Sequence, residues 1–218
     1  HFMALWWVHS FSQQQLLKST DPDLKYQKAL MYFNDEQYVK AQELLDDITT
    51  YYRGTDRSQD VLAYLARCYM GQKDYSSASE YYQAYIRNYP KGRYIVEARF
   101  QVGHCYYLGH GVAKDYSEAV SWYMRAAKYH QSEAELALGC CYENGEGVPQ
   151  DYKKALEWYR VAAEDGAIDA EYNIGRCYYL GRGVKQDSVE GNNWMMRAAK
   201  HGHKEAQEYF KSHHIFVD

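Results

Sequence analysis

No stretch of the 218 residues approaches the ~20 consecutive apolar residues that cross a bilayer, so the chain offers no integral membrane segment. Positive charge is not in excess either. The 25 Lys and Arg face 29 Asp and Glu, interspersed, for a net charge of −4. That balance leaves no basic stripe for nucleic acid and no field for an anionic membrane surface. Catalytic signatures are missing as well. "GHGV", "GEGV" and "GRGV" lack the G-x-x-x-x-G-K-[ST] that cradles phosphate, and neither G-x-S-x-G nor H-E-x-x-H occurs. His201, His203, His213 and His214 gather near the C-terminus, but helical phase does not converge them on one metal. The expectation is a chain without catalytic residues, cofactor or bound metal. Proline is scarce, with three residues, so little breaks a helix.

What the chain does have is 25 tyrosines, a mean hydropathy of −0.71 and an internal period. Trp122, Trp158 and Trp194 stand 36 residues apart. Gly103, Gly139 and Gly175 keep that step, as do Gly109, Gly145 and Gly181, then Gly111, Gly147 and Gly183, then Asp115, Asp151 and Asp187. The pairs Ala126-Ala127, Ala162-Ala163 and Ala198-Ala199 follow. Each unit reads as two helices. "SEAELALGCCYEN" has small and apolar residues at helical spacing, and "DYKKALEWYRVAAEDG" begins on Asp and ends on Gly, the usual boundary signals. The "GEGVPQ" type of loop joins them through glycines that tolerate positive φ. The first half carries a diverged version at a step of 37, pairing Ala29 with Ala66, Tyr32 with Tyr69 and Ala41 with Ala78. A fixed period of this length is the mark of a stacked-repeat architecture.

Residues 98–202 resemble Sel1-like repeats through Gly103, Tyr106, Gly109, Gly111, Val112, Asp115, Tyr116, Ala119, Trp122, Tyr123 and Ala126-Ala127, with their equivalents in the next two units. The third unit departs with Ser188, Gly191 and Met195; Gly191 inside a helix costs about 1 kcal/mol relative to Ala and predicts a looser helix. Residues 24–107 resemble tetratricopeptide repeats, and the stretch "LLKSTDPDLKYQKAL…YYRGTDRSQDVLAYLARCYMGQKDYSSASEYYQAYIRNYPKGRYIVEARFQVGHCYYL" is similar to that part of the outer-membrane assembly lipoproteins of the BamD type. In that family the repeats bind other components of the β-barrel assembly machinery. No cysteine precedes Cys68 to carry a lipid. The resemblances imply an all-α, right-handed α-solenoid of stacked antiparallel helix pairs. The division expected is a capping segment at 1–20, two tetratricopeptide-like pairs at 21–97, three Sel1-like repeats at 98–202 and a closing helix and tail at 203–218. The apolar piece after Met3 reads as a packing helix over one end, or as a trimmed export signal. Exposed Trp6-Trp7 would suit self-association.

The adjacent Cys140 and Cys141 invite a redox or metal reading, and the period weakens it. Cys105, Cys141 and Cys177 hold one repeated position, and Cys68 holds it in the earlier unit. Stacked helices lie roughly 10 Å apart, beyond the ~7 Å between Cα atoms that a disulfide allows. The row therefore reads as small buried hydrophobes. Cysteine-rich Sel1-like proteins brace each unit with a Cys at the second helix-end position; this chain has Ala127, Ala163 and Ala199 there, so no such framework is implied.

Helical spacing and the resemblance together place positions 2, 5, 9 and 12 of each first helix on a concave face. Position 9 never settles: Leu30, Arg67, His104, Cys140, Arg176. Residues that packing does not fix are free to recognise a partner. The expected contacts for a protein or peptide partner are Tyr26, Phe33, Arg67, Met70, Phe100, His104, Tyr107, Tyr172, Arg176 and Tyr179, because Tyr and Arg are the usual anchors of an interface. Position 2 is acidic throughout (Asp23, Asp60, Glu97, Glu133, Asp169, Glu205) and reads as first-turn acid complementing the helix dipole. The function expected is a non-enzymatic adaptor gripping a peptide or partner helix. The alternative is an envelope-assembly accessory protein, with a periplasmic setting slightly preferred over a cytoplasmic one.

Overall fold

The computed structural model describes residues 20–213. The 1–19 part of the capping segment, with Trp6-Trp7, and the tail from His214 lie outside the described residues. Among the described residues the secondary structure is eleven helices: α1 (Pro22–Asn34), α2 (Tyr38–Thr49), α3 (Arg57–Gly71), α4 (Tyr75–Asn88), α5 (Ile95–Leu108), α6 (Tyr116–Ala127), α7 (Ser132–Asn144), α8 (Tyr152–Glu164), α9 (Ile168–Leu180), α10 (Ser188–Lys200) and α11 (Lys204–Ser212). The expected all-α class of repeated helix pairs is the class observed. The chain forms two compact units. One runs to Ala98 and adds His110–Val112; the other comprises Arg99–Gly109 and Ala113 onward.

Capping residues set the helix starts. Asp115, Asp151 and Asp187 take extended backbone angles, and each side chain accepts backbone N–H bonds from the first turn of α6, α8 or α10. Asp21 caps α1 in the same way, with Pro22 following it at the first helical position. In the second unit, α7 packs on α8 and α9 on α10, while α6 meets α7, α8 meets α9 and α10 meets α11. In the first unit α1 packs on α2, α2 on α3, and α3 on α4.

Two repeated features fix this stacking. The first is a ring pressed onto a small residue. Tyr123 and Tyr159 are fully buried, and a Cβ on Gly139 would stand 2.4 Å from the Tyr159 ring. The same Cβ on Gly103 would stand 2.9 Å from Tyr123. The glycine is there because the aromatic ring of the second helix occupies that space. The second feature is the later glycine of the loop. Gly147 has φ +73°, and a Cβ on it would lie 2.3 Å from the carbonyl oxygen of Tyr116. Gly183 meets Tyr152 in the same way. Each loop thus rests on the backbone at the start of the preceding unit's second helix.

Gly191 does not loosen its helix. α10 runs without a break through it, and its Cβ would sit 2.9 Å from Gly175 O and 3.1 Å from Tyr179 N. Two backbones meet there, and only glycine lets them. The cysteines are all free thiols. Cys68, Cys105, Cys141 and Cys177 are buried in the packing row, and Cys140 is half-buried. Burial pushes the thiols of Cys68 and Cys141 up to about 12 and that of Cys177 to about 11, so none of the three is a thiolate nucleophile at neutral pH.

Candidate partner-binding surface

In the first unit the expected contact residues are mostly occupied by packing. Tyr26 is buried, with Tyr52 edge-on at 6.4 Å and the Arg57 guanidinium 4.7 Å above its ring. It is a core side chain rather than an open platform. Phe33 meets the edges of Tyr38 and Tyr64 at 5.6 and 5.1 Å, and Met70 is half-buried. Arg67 is engaged as well. Its Nε donates to Glu97 Oε1 at 2.7 Å, and its Nη2 donates to Glu97 Oε2 in a second, shorter bond. Tyr64 and Tyr94 lie against the guanidinium at 4.9 and 4.8 Å. A bidentate fork between two rings is a structural clamp.

The acids of position 2 therefore do more than complement helix dipoles. Glu97 holds Arg67, Asp60 stands 3.5 Å from Arg93, and Asp23 accepts from the Tyr52 hydroxyl.

In the second unit Phe100 stacks with His104 at 5.9 Å and tilts onto Tyr123 at 5.7 Å. Tyr107 lies edge-on to Tyr116 at 5.2 Å and donates its hydroxyl to Glu146 at 2.7 Å. Glu146 sits in the loop of the following repeat, between its two glycines. One repeat on, Glu143 replaces Tyr107, and Arg182 replaces Glu146. Arg182 Nη1 donates to Glu143 Oε1 at 2.6 Å. The geometry is conserved while the donor and acceptor change sides. The Tyr159 hydroxyl also donates to Glu143 at 2.6 Å, and Cys140 Sγ lies 3.6 Å from the same hydroxyl. Burial raises the Cys140 thiol above its ordinary range, so it is a neutral contact within this network.

Beyond Glu143 the surface opens. Tyr172, Arg176 and Tyr179 of α9 meet Leu180, Met195 and Tyr209 around a hollow of about 240 Å³. Three of the expected contacts thus come together in one place. Tyr172 stacks on His203 at 4.3 Å, which fixes that wall. Arg176 is held loosely: its Nη2 is 3.9 Å from Glu143, its Nη1 is 3.5 Å from Asn173 Oδ1, and its side chain is 42% exposed. Glu143 is already neutralised by Arg182 at 2.6 Å, so the Arg176 charge is available. The arrangement can take an apolar group between tyrosines with an anion beside it. Arg182, Met195 and Tyr209 were absent from the sequence-based expectation. The only sequence signal for Arg182 was variation between the loop glycines, where the units read His110, Glu146 and Arg182.

Among the described residues, the C-terminal histidines have separate contacts. His201 Nδ1 pairs with Glu171 at 2.8 Å, His203 caps α11, and His213 lies on Tyr209. His214 lies outside the described residues.

The Sel1 repeat family model matches residues 96–128, 132–166 and 168–203, and a tetratricopeptide repeat model matches 32–98. Among solved structures, a Sel1 repeat protein from Oxalobacter formigenes is 27% identical, with a TM-score of 0.69 over 84% of this chain and 70% of that one. A protective antigen of uropathogenic Escherichia coli strains, with the same repeat fold, is 23% identical at a TM-score of 0.71. The match covers 94% of this chain but only 44% of the antigen. The C-terminal part of a tetratricopeptide repeat protein from Cytophaga hutchinsonii is 18% identical at a TM-score of 0.63, over 93% and 80% of the two chains. No curated protein matches.

Proposed function

From the premise that this chain carries three Sel1 repeats preceded by tetratricopeptide-like repeats, a kind of protein that binds protein partners, we propose that it is a non-enzymatic scaffold or adaptor. The first helices of its repeats present the contact face, and the α9 hollow is the anchoring point. One contrast carries the reading. Arg67 is locked by Glu97, whereas Arg176 borders an open hollow, its nearest acid Glu143 standing 3.9 Å away and already bonded to Arg182. A partner segment with one apolar side chain beside a carboxylate fits that chemistry. Phe100, His104 and Tyr107 extend the aromatic surface on the same unit.

The test is chemical crosslinking with mass spectrometry on extracts of the source cells, using the native chain, Arg176→Glu and Tyr179→Ala. The proposal expects both variants to lose the same partner. A partner list unchanged by Arg176→Glu would count against it. A second reading, an envelope-assembly accessory that binds mainly through residues 16–107, rests on the sequence resemblance to outer-membrane assembly lipoproteins alone. Under that reading Arg176→Glu leaves the partners intact, and substitutions on α1 and α3 remove them.

A further inference from the structure

The internal repeats act as controls for one another, and they single out a group that the partner surface does not use. Arg99, Glu135 and Glu171 hold one repeat position. In the last unit Glu171 is buried and held twice, by Arg197 Nε at 2.6 Å and His201 Nδ1 at 2.8 Å. In the first, Arg99 lies over the Tyr129 ring at 5.4 Å. In the middle unit Glu135 is 1% exposed, yet Val161 stands where Arg197 stands, and Asp165 stands where His201 stands. Both partners are gone and an acid has been added. Glu135 Oε2 has no hydrogen-bond partner. A buried carboxylate with an orphan oxygen facing a second carboxylate needs a cation or a proton.

The remaining group in the cluster is His130. Its Nδ1 lies 2.9 Å from Asp165 Oδ2. One potential ligand atom from each of His130, Glu135 and Asp165 falls within 4.8 Å of the other two. His130 also has φ +56°, at the place where the other units have Gly166 and Gly202. A histidine thus stands where the repeat otherwise has glycine, in a backbone conformation that a Cβ disfavours.

We propose that His130, Glu135 and Asp165 bind one divalent transition-metal cation, with Zn²⁺ as the reference ion. An imidazole nitrogen and two carboxylate oxygens form a hard-to-borderline donor set suited to Zn²⁺ and poor for soft metals. The cation supplies to Glu135 the positive charge that Arg197 supplies to Glu171. Ligand atoms around Zn²⁺ sit at about 2.0–2.2 Å from the metal, so the triad must draw in from its present spacing. The exposed His130 side chain has room to do so and gives the ion a way in. A fourth position remains for water.

The test is isothermal titration of the chelator-stripped full chain with ZnCl2, alongside a melting curve with and without the ion. His130→Gly removes a ligand while restoring the glycine of the other repeats, so it leaves a folded chain. Glu135→Gln keeps shape and removes charge. One Zn²⁺ per chain is expected at this site, raising the melting temperature. Each substitution should weaken that binding at least ~10-fold, as loss of even a supporting outer group does. No Zn²⁺ binding in the native chain overturns the proposal. So does Zn²⁺ binding that is equal in the native chain and both variants, since the ion would then sit elsewhere.

Discussion

The contact between successive units can be isolated by a pair of glycine substitutions. Gly147 and Gly166 both have positive φ, at +73° and +93°. A methyl group on Gly166 would meet nothing within 4 Å. On Gly147 it would stand 2.3 Å from Tyr116 O and 2.7 Å from Ser117 N, both backbone atoms at the start of α6. For Gly166→Ala only conformation counts: the left-handed backbone costs about 1–2 kcal/mol, offset by about 0.4–1 kcal/mol from the stiffer unfolded chain. The net loss is about 1 kcal/mol. For Gly147→Ala the same balance applies, and the collision adds about 1–3 kcal/mol because backbone cannot swing aside as a side chain can. The total is about 2–4 kcal/mol. Urea titration followed by far-ultraviolet circular dichroism measures both. In a chain of this size about 1 kcal/mol moves the melting point by about 2–4 °C, so the two variants separate clearly. Equal destabilisation by the two substitutions would refute the idea that close approach of the loop to α6, rather than φ alone, requires glycine there.

The Glu143–Arg182 pair should show a coupling of about 1–3 kcal/mol in a double-mutant cycle, because the carboxylate is largely buried and also accepts from Tyr159; independent, additive losses would show that the pair contributes nothing. Arg67→Ala should lower the urea midpoint and leave partner capture intact, while Arg176→Ala should do the reverse, since one guanidinium is clamped and the other is not. The buried thiols predict a loss of stability in alkali. Their folded values lie above the ordinary 9, so the native state keeps protons that the unfolded chain releases. Their contribution is complete below pH 9 and declines as pH rises toward about 11–12; urea midpoints at pH 8 and pH 10.5 check the sign. A Cys68→Ala/Cys141→Ala/Cys177→Ala variant should show a shallower decline.

Much of the fold was legible because the determinants are local. Asp115, Asp151 and Asp187 cap the helix immediately after them, and the loop glycines mark turns within a few residues. The four-member cysteine row could be assigned to packing because four of the five helix pairs repeat it. Gly191 was misjudged for a physical reason. Helix propensity counts its conformational freedom, whereas its role comes from Gly175 O lying where its Cβ would be. The contact surface was legible only in outline. Tyr26, Phe33 and Arg67 have the chemistry of interface anchors, and the first unit uses that chemistry internally. Tyr172, Arg176 and Tyr179 have the same chemistry and surround a hollow.

The sequence by itself determined the period, the helix boundaries, the caps and the positions where only small residues fit. These follow from interactions within one unit or between identical neighbours, so repetition exposes them. The tertiary structure decided which variable side chains are engaged. Arg67 meets Glu97, Tyr107 meets Glu146, and Glu143 meets Arg182 across 30 to 39 residues. Such partners belong to the next unit, and either member can carry the donor or the acceptor. No single-residue pattern fixes that polarity. Glu135 and Glu171 show the consequence: the same residue at the same repeat position is neutralised in one unit and left facing an acid in the other, according to what the following helix places beside it.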